Sequence, residues 1–154
     1  MFEKIADPKD VILWQDRIPI RHRYTPGVAG EAFFTALRDR GELLASRCES
    51  CQITYCPARL FCERCFAGPL EANVTVGPQG TLVSFSVGTV GVEGEPLDEP
   101  VTVGLIRPDG ADTVLMHFVL VDELEVGMRV EAVLVPEDQR TGSILDIRGF
   151  RPAS

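Results

Sequence analysis

The sequence has very little lysine and histidine. Of its 15 basic residues only Lys4 and Lys9 are lysine, histidine occurs twice, and 23 acidic residues give a formal net charge of −8. Residues 66–154 carry fourteen of the acidic residues and only five arginines. Nucleic-acid binders normally present a basic surface, because phosphate neutralisation supplies much of their affinity. The composition therefore argues against a nucleic-acid-binding module, which we retain as the alternative function.

Long apolar runs are also missing. The longest hydrophobic patch covers residues 114–121, with His117 inside it. A membrane helix needs about 20 apolar residues. Residues 1–4 lack the apolar core of a secretory signal. We therefore expect a cytoplasmic protein with no membrane segment, in which thiols stay reduced.

All five cysteines lie between positions 48 and 65. Four of them form two C-x-x-C knuckles, Cys48 with Cys51 and Cys62 with Cys65, ten residues apart. Each knuckle presents two thiolates from one tight turn, as tetrahedral Zn²⁺ requires at about 2.3 Å per sulfur. The spacing predicts one structural zinc ion bound by these four residues. Iron in a rubredoxin-like site is the chemical rival, because the same geometry accepts it.

Two further side chains are candidates for chemistry. Cys56 precedes Pro57 between the knuckles with no histidine near it in sequence, and we interpret it as a half-buried structural thiol rather than a nucleophile or a metal ligand. His117 alternates with apolar residues, which favours a packed or cleft-facing side chain over a general base. Because no nucleophile–base arrangement is recognisable, we expect no catalytic activity from the chain alone.

Hydrophobic spacing predicts a short amphipathic helix over residues 29–40, ended by Gly41. It then predicts five strands: Thr81–Val90, Val101–Leu105, Thr113–Val121, Met128–Val135 and Ile144–Phe150. The third strand is apolar on both faces, as a central strand would be. Pro108-Asp109-Gly110 predicts a tight hairpin before it. Five short strands in about 70 residues indicate a small closed barrel, of which the OB-fold is the commonest five-stranded form.

The predicted fold class is therefore mainly β. An N-terminal arm and a short helix occupy residues 1–46, a zinc ribbon occupies residues 47–70, and a five-stranded OB-fold barrel occupies residues 71–154.

This order of elements resembles the DUF35 family of OB-fold, acyl-CoA-associated proteins, in which a rubredoxin-like zinc ribbon precedes the barrel. The matching segments are Phe33-Phe34-x-x-Leu37, the two cysteine knuckles with their neighbours at 47–51 and 62–65, Gly80–Phe85 and Val126–Glu131. The segment Arg23-Tyr24-Thr25-Pro26-Gly27 resembles the branch that partners thiolases. Two positions depart from the family pattern: Gln52 stands where a glycine is frequent, and Cys56 stands where a proline is frequent. Neither departure removes a predicted ligand.

The resemblance implies a subunit rather than a free-standing enzyme. DUF35 proteins are found with thiolases, HMG-CoA synthases and other enzymes of CoA thioesters. It therefore implies a non-catalytic accessory subunit of a thiolase-type acyltransferase complex, with a thiolase-like catalytic subunit as partner and acyl-CoA as shared ligand. The chain would help to form the CoA site and hold the assembly together.

Two groups of residues are candidates for contact with CoA or with the partner. Arg17, Arg21 and Arg23 could grip CoA phosphates, although an acidic partner surface or solvent would suit them equally. Asp109 and Gly110 could approach a thioester, although the hairpin alone explains them.

Overall fold

The computed structural model describes residues 24–91, 93–121 and 123–153. One helix, α1 (Gly27–Arg40), precedes eight strands. The strands are β1 (Leu43–Cys48), β2 (Ile53–Tyr55), β3 (Ala72–Val76), β4 (Gln79–Val90), β5 (Pro96–Pro108), β6 (Leu115–Phe118), β7 (Arg129–Leu134) and β8 (Ile147–Pro152). Within the described ranges, no helix has the length and apolar character needed to cross a membrane.

Helix α1 confirms the predicted amphipathic helix and begins two residues earlier than the hydrophobic pattern indicated. It ends at Gly41, whose φ of 69° is in the left-handed region that glycine adopts without steric cost. The Gly41 N–H donates to the Leu37 carbonyl at 3.1 Å. Phe33 and Leu37 are fully buried on the face that packs against the sheets.

The first three strands form a small antiparallel sheet in the order β2-β1-β3. β1 is the central strand, pairing Arg47 with Thr54 on one side and Ala45 with Val74 on the other. After the cysteine segment the chain continues as β3, which runs antiparallel beside β1, and then enters the second sheet.

The other five strands form a second sheet in the order β6-β5-β4-β7-β8, and every neighbouring pair is antiparallel. Its two ends meet where Val119, just after β6, forms a parallel bridge with Phe150 of β8. This bridge closes the sheet into a five-stranded barrel. The mainly β class and the OB-fold barrel predicted from the sequence are confirmed.

The prediction of a central third strand was wrong in its details. β6 has only four residues, lies at the end of the hydrogen-bonded strand order, and alternates between buried and exposed side chains. In β5 the buried side is formed by Gly104 and Ile106, so Val103 and its alternating neighbours face outward. Since both sides of these strands are apolar, alternation alone could not identify the inner side.

A β-bulge at Val83 interrupts the regular pairing of β4 with β5. Leu82 pairs with Ile106, but the next paired residue is Ser84, opposite Leu105. The intervening Val83 is 39% exposed, whereas Leu82 is fully buried. The bulge thus interrupts the alternation of side chains along β4.

One hydrophobic core joins the helix, the small sheet and the barrel. Its largest fully buried members include Phe33, Leu37, Leu43, Leu82, Ile106 and Phe150. A separate small cluster contains Cys48, Tyr55 and Cys62. The ribbon therefore has little apolar core of its own. The boundaries after residues 46 and 70 stay a prediction.

Asp146 fixes the loop that leads into β8. Its buried carboxylate accepts hydrogen bonds from the backbone N–H groups of Thr141 (2.9 Å), Gly142 (2.7 Å) and Ser143 (3.2 Å), and from the Thr141 hydroxyl (3.2 Å). Burial alone would raise the pKa of Asp146, but these donors outweigh it and hold the pKa below its ordinary value. The ionised carboxylate is thus part of the folded structure.

We expect Asp146→Asn to lower the free energy of unfolding at neutral pH by about 2 kcal/mol, because hydrogen bonds to a charged group contribute about 1.5–3 kcal/mol. The lowered pKa gives wild-type stability that is present above the unfolded-state pKa and is lost as pH falls through the folded-state pKa. In urea unfolding measurements, the gap between wild type and variant should therefore narrow in acid. Asp138→Asn, at an exposed carboxyl, is the control. A gap that stays constant with pH would contradict this role.

Candidate metal centre

The two cysteine knuckles have the same local backbone. In the first, the N–H of Gln52 donates to the Cys48 carbonyl at 2.7 Å; in the second, the N–H of Phe66 donates to the Cys62 carbonyl at 2.9 Å. The residue that follows the second cysteine is left-handed in both, with φ of 57° at Gln52 and 59° at Phe66. Each tight turn therefore directs its two thiols to one side.

These turns bring together the four predicted ligands. The Sγ atoms of Cys48, Cys51, Cys62 and Cys65 all lie within 4.8 Å of one another. The Cys48 and Cys65 Sγ atoms are 3.6 Å apart. A tetrahedral Zn²⁺ with sulfur at about 2.3 Å requires sulfur–sulfur separations of about 3.8 Å. Both the geometry and the all-sulfur donor set fit a structural zinc ion.

Tyr55 supports the centre from inside the ribbon. Its fully buried hydroxyl lies 3.2 Å from the Cys62 Sγ. The Tyr55 hydrogen bond is the largest cause that lowers the pKa of Cys62, to about 6, while the same contact helps raise the pKa of Tyr55 to about 12. Tyr55 thus donates to a thiolate at Cys62, the form that a metal binds.

Cys56 lies apart from this group and is fully buried, not half-buried as predicted. It belongs to the main core, and burial raises the pKa of its thiol to about 12. The placement agrees with the interpretation of Cys56 as a structural thiol.

The backbone around Cys56 connects the ribbon to the barrel. The Cys56 N–H donates to the Thr113 hydroxyl at 2.9 Å, and that hydroxyl donates back to the Cys56 carbonyl at 3.0 Å. Thr54, two residues before Cys56, forms a second reciprocal pair with Asp112. The Thr54 N–H donates to the Asp112 carboxylate, and the Asp112 N–H donates to the Thr54 carbonyl. Two hydrogen bonds thereby join the β5–β6 loop to β2 and two join it to Cys56 just after β2, a link that the sequence did not reveal.

Comparison with known proteins finds family models that match both the zinc ribbon and the barrel. A family model described as the ChsH2 rubredoxin-like zinc ribbon domain matches residues 35–71, and one described as the ChsH2 C-terminal OB-fold domain matches residues 73–135. A crystal structure of a DUF35-family protein of unknown function from Sulfolobus solfataricus is 25% identical, with a TM-score of 0.62, covering 82% of this chain and 84% of that one. The chain belongs to the DUF35 family.

A second structure, described as the Ltp2-ChsH2(DUF35) aldolase, is also similar to this DUF35 chain. One of its chains is 21% identical with a TM-score of 0.60, and the match covers 86% of this chain and 100% of that chain. At this identity the likeness shows the fold. No curated protein matches the sequence.

Gln52 shows how this DUF35 chain accommodates a departure from the family pattern. Its φ of 57° explains why glycine is favoured at this position. The Gln52 side chain donates to the Glu49 carbonyl and accepts from the Arg47 guanidinium, both at 2.5 Å. A glycine would adopt this left-handed turn without side-chain contacts. Gln52 adopts the same turn, and these two hydrogen bonds hold its side chain in place.

Tyr55 is a functional residue that the sequence pattern does not identify. We expect Tyr55→Phe to weaken zinc binding by about tenfold, because lost hydrogen bonds to metal ligands typically cost 10–100-fold in affinity. Competition with a chromophoric chelator would measure the change. Thr54→Val, at the neighbouring buried position of the same strand, is the control for strand packing. Equal zinc affinity in wild type and Tyr55→Phe would contradict a role for the hydroxyl.

His117 is packed, as the sequence indicated. Its Nε2 lies 3.1 Å from the Ile144 carbonyl, and its Nδ1 accepts the Phe118 N–H at 2.9 Å. This arrangement requires a neutral ring with the proton on Nε2. Burial accordingly lowers the pKa of His117. Both ring nitrogens are engaged within the chain.

Of the proposed CoA-contact residues, the structure describes Asp109 and Gly110. Arg17, Arg21 and Arg23 lie outside the described residues. Asp109 and Gly110 form the turn after β5, where Gly110 has a φ of 89°. The Asp109 carboxylate is held by the Arg129 guanidinium of β7 with an N–O distance of 2.8 Å, and this pairing lowers the pKa of Asp109. A structural role at the barrel end accounts for Asp109.

Proposed function

We propose that this chain is a non-catalytic, zinc-containing accessory subunit of an enzyme complex that acts on CoA thioesters, and that its partner is a thiolase-type catalytic subunit. The observation that carries the proposal is the match to the whole length of one chain of the structure described as the Ltp2-ChsH2(DUF35) aldolase. The similarity spans both the ribbon and the barrel. It supports a role as an accessory subunit of an enzyme complex.

The chemistry of the described residues supports the same role. Burial keeps Cys56 as a neutral thiol in the core, and His117 uses both ring nitrogens in bonds to the backbone. A nucleophile must reach substrate and have a base within hydrogen-bond distance. As placed, neither side chain satisfies that requirement, so the proposal assigns the reaction to the partner.

The zinc ion would have a structural role in the complex. Because the ribbon contains only a small buried cluster, the metal would hold its two knuckles together. We propose Cys48, Cys51, Cys62 and Cys65 as its ligands. The CoA thioester would lie at the interface, with Arg17, Arg21 and Arg23 as proposed contacts to its phosphates.

Co-expression with the protein encoded in the neighbouring reading frame, which the proposal expects to be thiolase-like, tests the proposal. We expect the two proteins to co-elute in size-exclusion chromatography, and acyl transfer to require both. Two results would overturn the accessory role: thiolase or thioesterase activity in the isolated chain that is lost on Cys56→Ser, or failure to bind the thiolase-like protein. Salt-dependent binding of single-stranded DNA or RNA by the isolated chain would instead favour the nucleic-acid alternative.

A further inference from the structure

The outer surface of the barrel is apolar over part of three neighbouring strands. Along β5 the outward side chains between Glu99 and Arg107 are Val101, Val103 and Leu105. Cross-strand pairing places Met116 of β6 beside Leu105, and Phe118 beside Val103. On the other side, β4 contributes the small residues Ser84, Ser86 and Gly88. The surface formed by these eight residues is called the outer face below.

The outer face contains no charged side chain within these described strand segments. An antiparallel sheet with one side on the core normally has polar residues on its other side. Here the outward side chains of β5 and β6 are apolar, and Met116 and Phe118 are 67% and 40% exposed. A contiguous exposed apolar surface of this kind is typical of an interaction site.

A groove at one edge of the outer face gives this surface a shape. It has a volume of about 280 Å³ and is bordered on one side by Val103, Met116 and Phe118, and on the other by Ile144 and Leu145. Leu145 is 64% exposed at the rim. The Asp146 hydrogen bonds and the contact between His117 Nε2 and the Ile144 carbonyl hold this rim in place. The groove is therefore a fixed feature that could receive an apolar side chain.

The charge around the outer face indicates what could cover it. Residues 84–101, which run along β4, through the β4–β5 connection and into β5 at one end of the face, include four acidic residues and no basic residue. Because alternate strand residues share a side, Glu99 and Arg107 lie at opposite ends of the row formed by Val101, Val103 and Leu105. The exposed acidic residues at 93, 95 and 98 lie just before Glu99, so the Glu99 end of the face is acidic. A second copy of the chain would bring the same acidic surroundings against itself, which is unfavourable. A protein with basic residues around an apolar patch would be complementary.

We propose that the outer face and its groove are the docking surface for the catalytic subunit, which presents an apolar patch bordered by arginine or lysine. This inference rests on the proposed function and adds to it the location and the chemistry of the contact. An apolar centre with a charged rim is the usual anatomy of a specific protein interface.

Binding measurements with the co-expressed thiolase-like protein test the docking surface. Met116→Lys and Leu145→Lys each place a cation on the apolar surface, and we expect each to raise the Kd by at least about tenfold. Val126→Lys is the matched control: Val126 is 60% exposed and outside the outer face, and the charge change is the same. We expect the control to bind like wild type.

The outcomes separate the two proposals. If wild type binds and the two groove variants bind equally well, the docking surface is wrong and the accessory function stands. If wild type does not bind, both are overturned. If Val126→Lys weakens binding as much as Met116→Lys does, the loss is a general effect of the added charge. That result would also overturn the docking surface.

Methionine oxidation checks what covers the face in the isolated chain. Met116 is exposed, whereas Met128 is partly buried against the core. With hydrogen peroxide we expect Met116 to oxidise faster than Met128 in the isolated chain, and to be protected in the complex. Protection of Met116 in the isolated monomer would show that other parts of the same chain cover it. Protection that appears only as the isolated chain dimerises would show self-association. Either result would overturn the proposal.

Discussion

Replacing Cys48 with Ala is expected to remove zinc from the protein and to unfold the ribbon. Cys48 is fully buried and ends strand β1, and its Sγ lies 3.6 Å from the Sγ of Cys65 in the other knuckle. Structural zinc sites contribute about 10–16 kcal/mol of binding free energy in small zinc domains, so loss of one of four ligands removes much of the support for the fold. We expect the zinc content to fall from about one ion per chain to nearly none, and the melting temperature to fall with it.

Cys56→Ala is the matched control for this experiment. Cys56 is as deeply buried as Cys48 but is outside the four-sulfur group. We expect the control to lose some stability through packing while it keeps its zinc. Elemental analysis and thermal melts report the two effects separately, and the same elemental analysis distinguishes zinc from iron. Full zinc occupancy and an unchanged melting temperature in Cys48→Ala would show that the ligand set is wrong.

Phe33→Ala is expected to lower the free energy of unfolding by about 3–5 kcal/mol, because it leaves a cavity where a fully buried ring packs helix α1 against the core. Phe66→Ala removes the same side chain at a position that is 82% exposed, and is expected to change stability by less than about 0.5 kcal/mol. Urea unfolding followed by circular dichroism measures both. Equal effects of the two substitutions would contradict the packing role of Phe33.

Zinc content provides a second readout for the same pair. Phe33 belongs to the main core, whereas the ribbon has a separate buried cluster. We therefore expect folded Phe33→Ala protein to retain its zinc. Loss of zinc from that protein would show that the two clusters depend on each other more closely than their separation suggests.

The features that the sequence predicted well are those decided over a few residues. Two cysteines three positions apart need only a tight turn to bring their thiols together, and the structure makes that turn twice. Gly41 ends α1 because the left-handed conformation required there is a local property. The number of barrel strands follows similarly from alternating side chains and turn residues.

The features that were missed depend on contacts between distant parts of the chain. The inner side of β5 could not be identified because Val103 and Ile106 are equally apolar, and only the barrel decides which is buried. The bulge at Val83 arises from pairing with β5, in which Leu82 pairs with Ile106 and Ser84 pairs with Leu105, more than 20 positions along the chain. Tyr55 faces Cys62 through the fold of the intervening loop, and no spacing rule relates a tyrosine to a metal ligand.

Four hydrogen bonds join the β5–β6 loop to β2 and to Cys56 just after it, and they affect the conformational entropy that is lost when a partner binds. They immobilise the ribbon against the barrel through the Thr54–Asp112 and Cys56–Thr113 pairs. A protein with a free hinge between two modules must give up that conformational freedom when a partner contacts both. Here the freedom is already lost when the chain folds. A partner that binds the barrel therefore receives the ribbon in a fixed orientation, with no additional entropic cost at the moment of association.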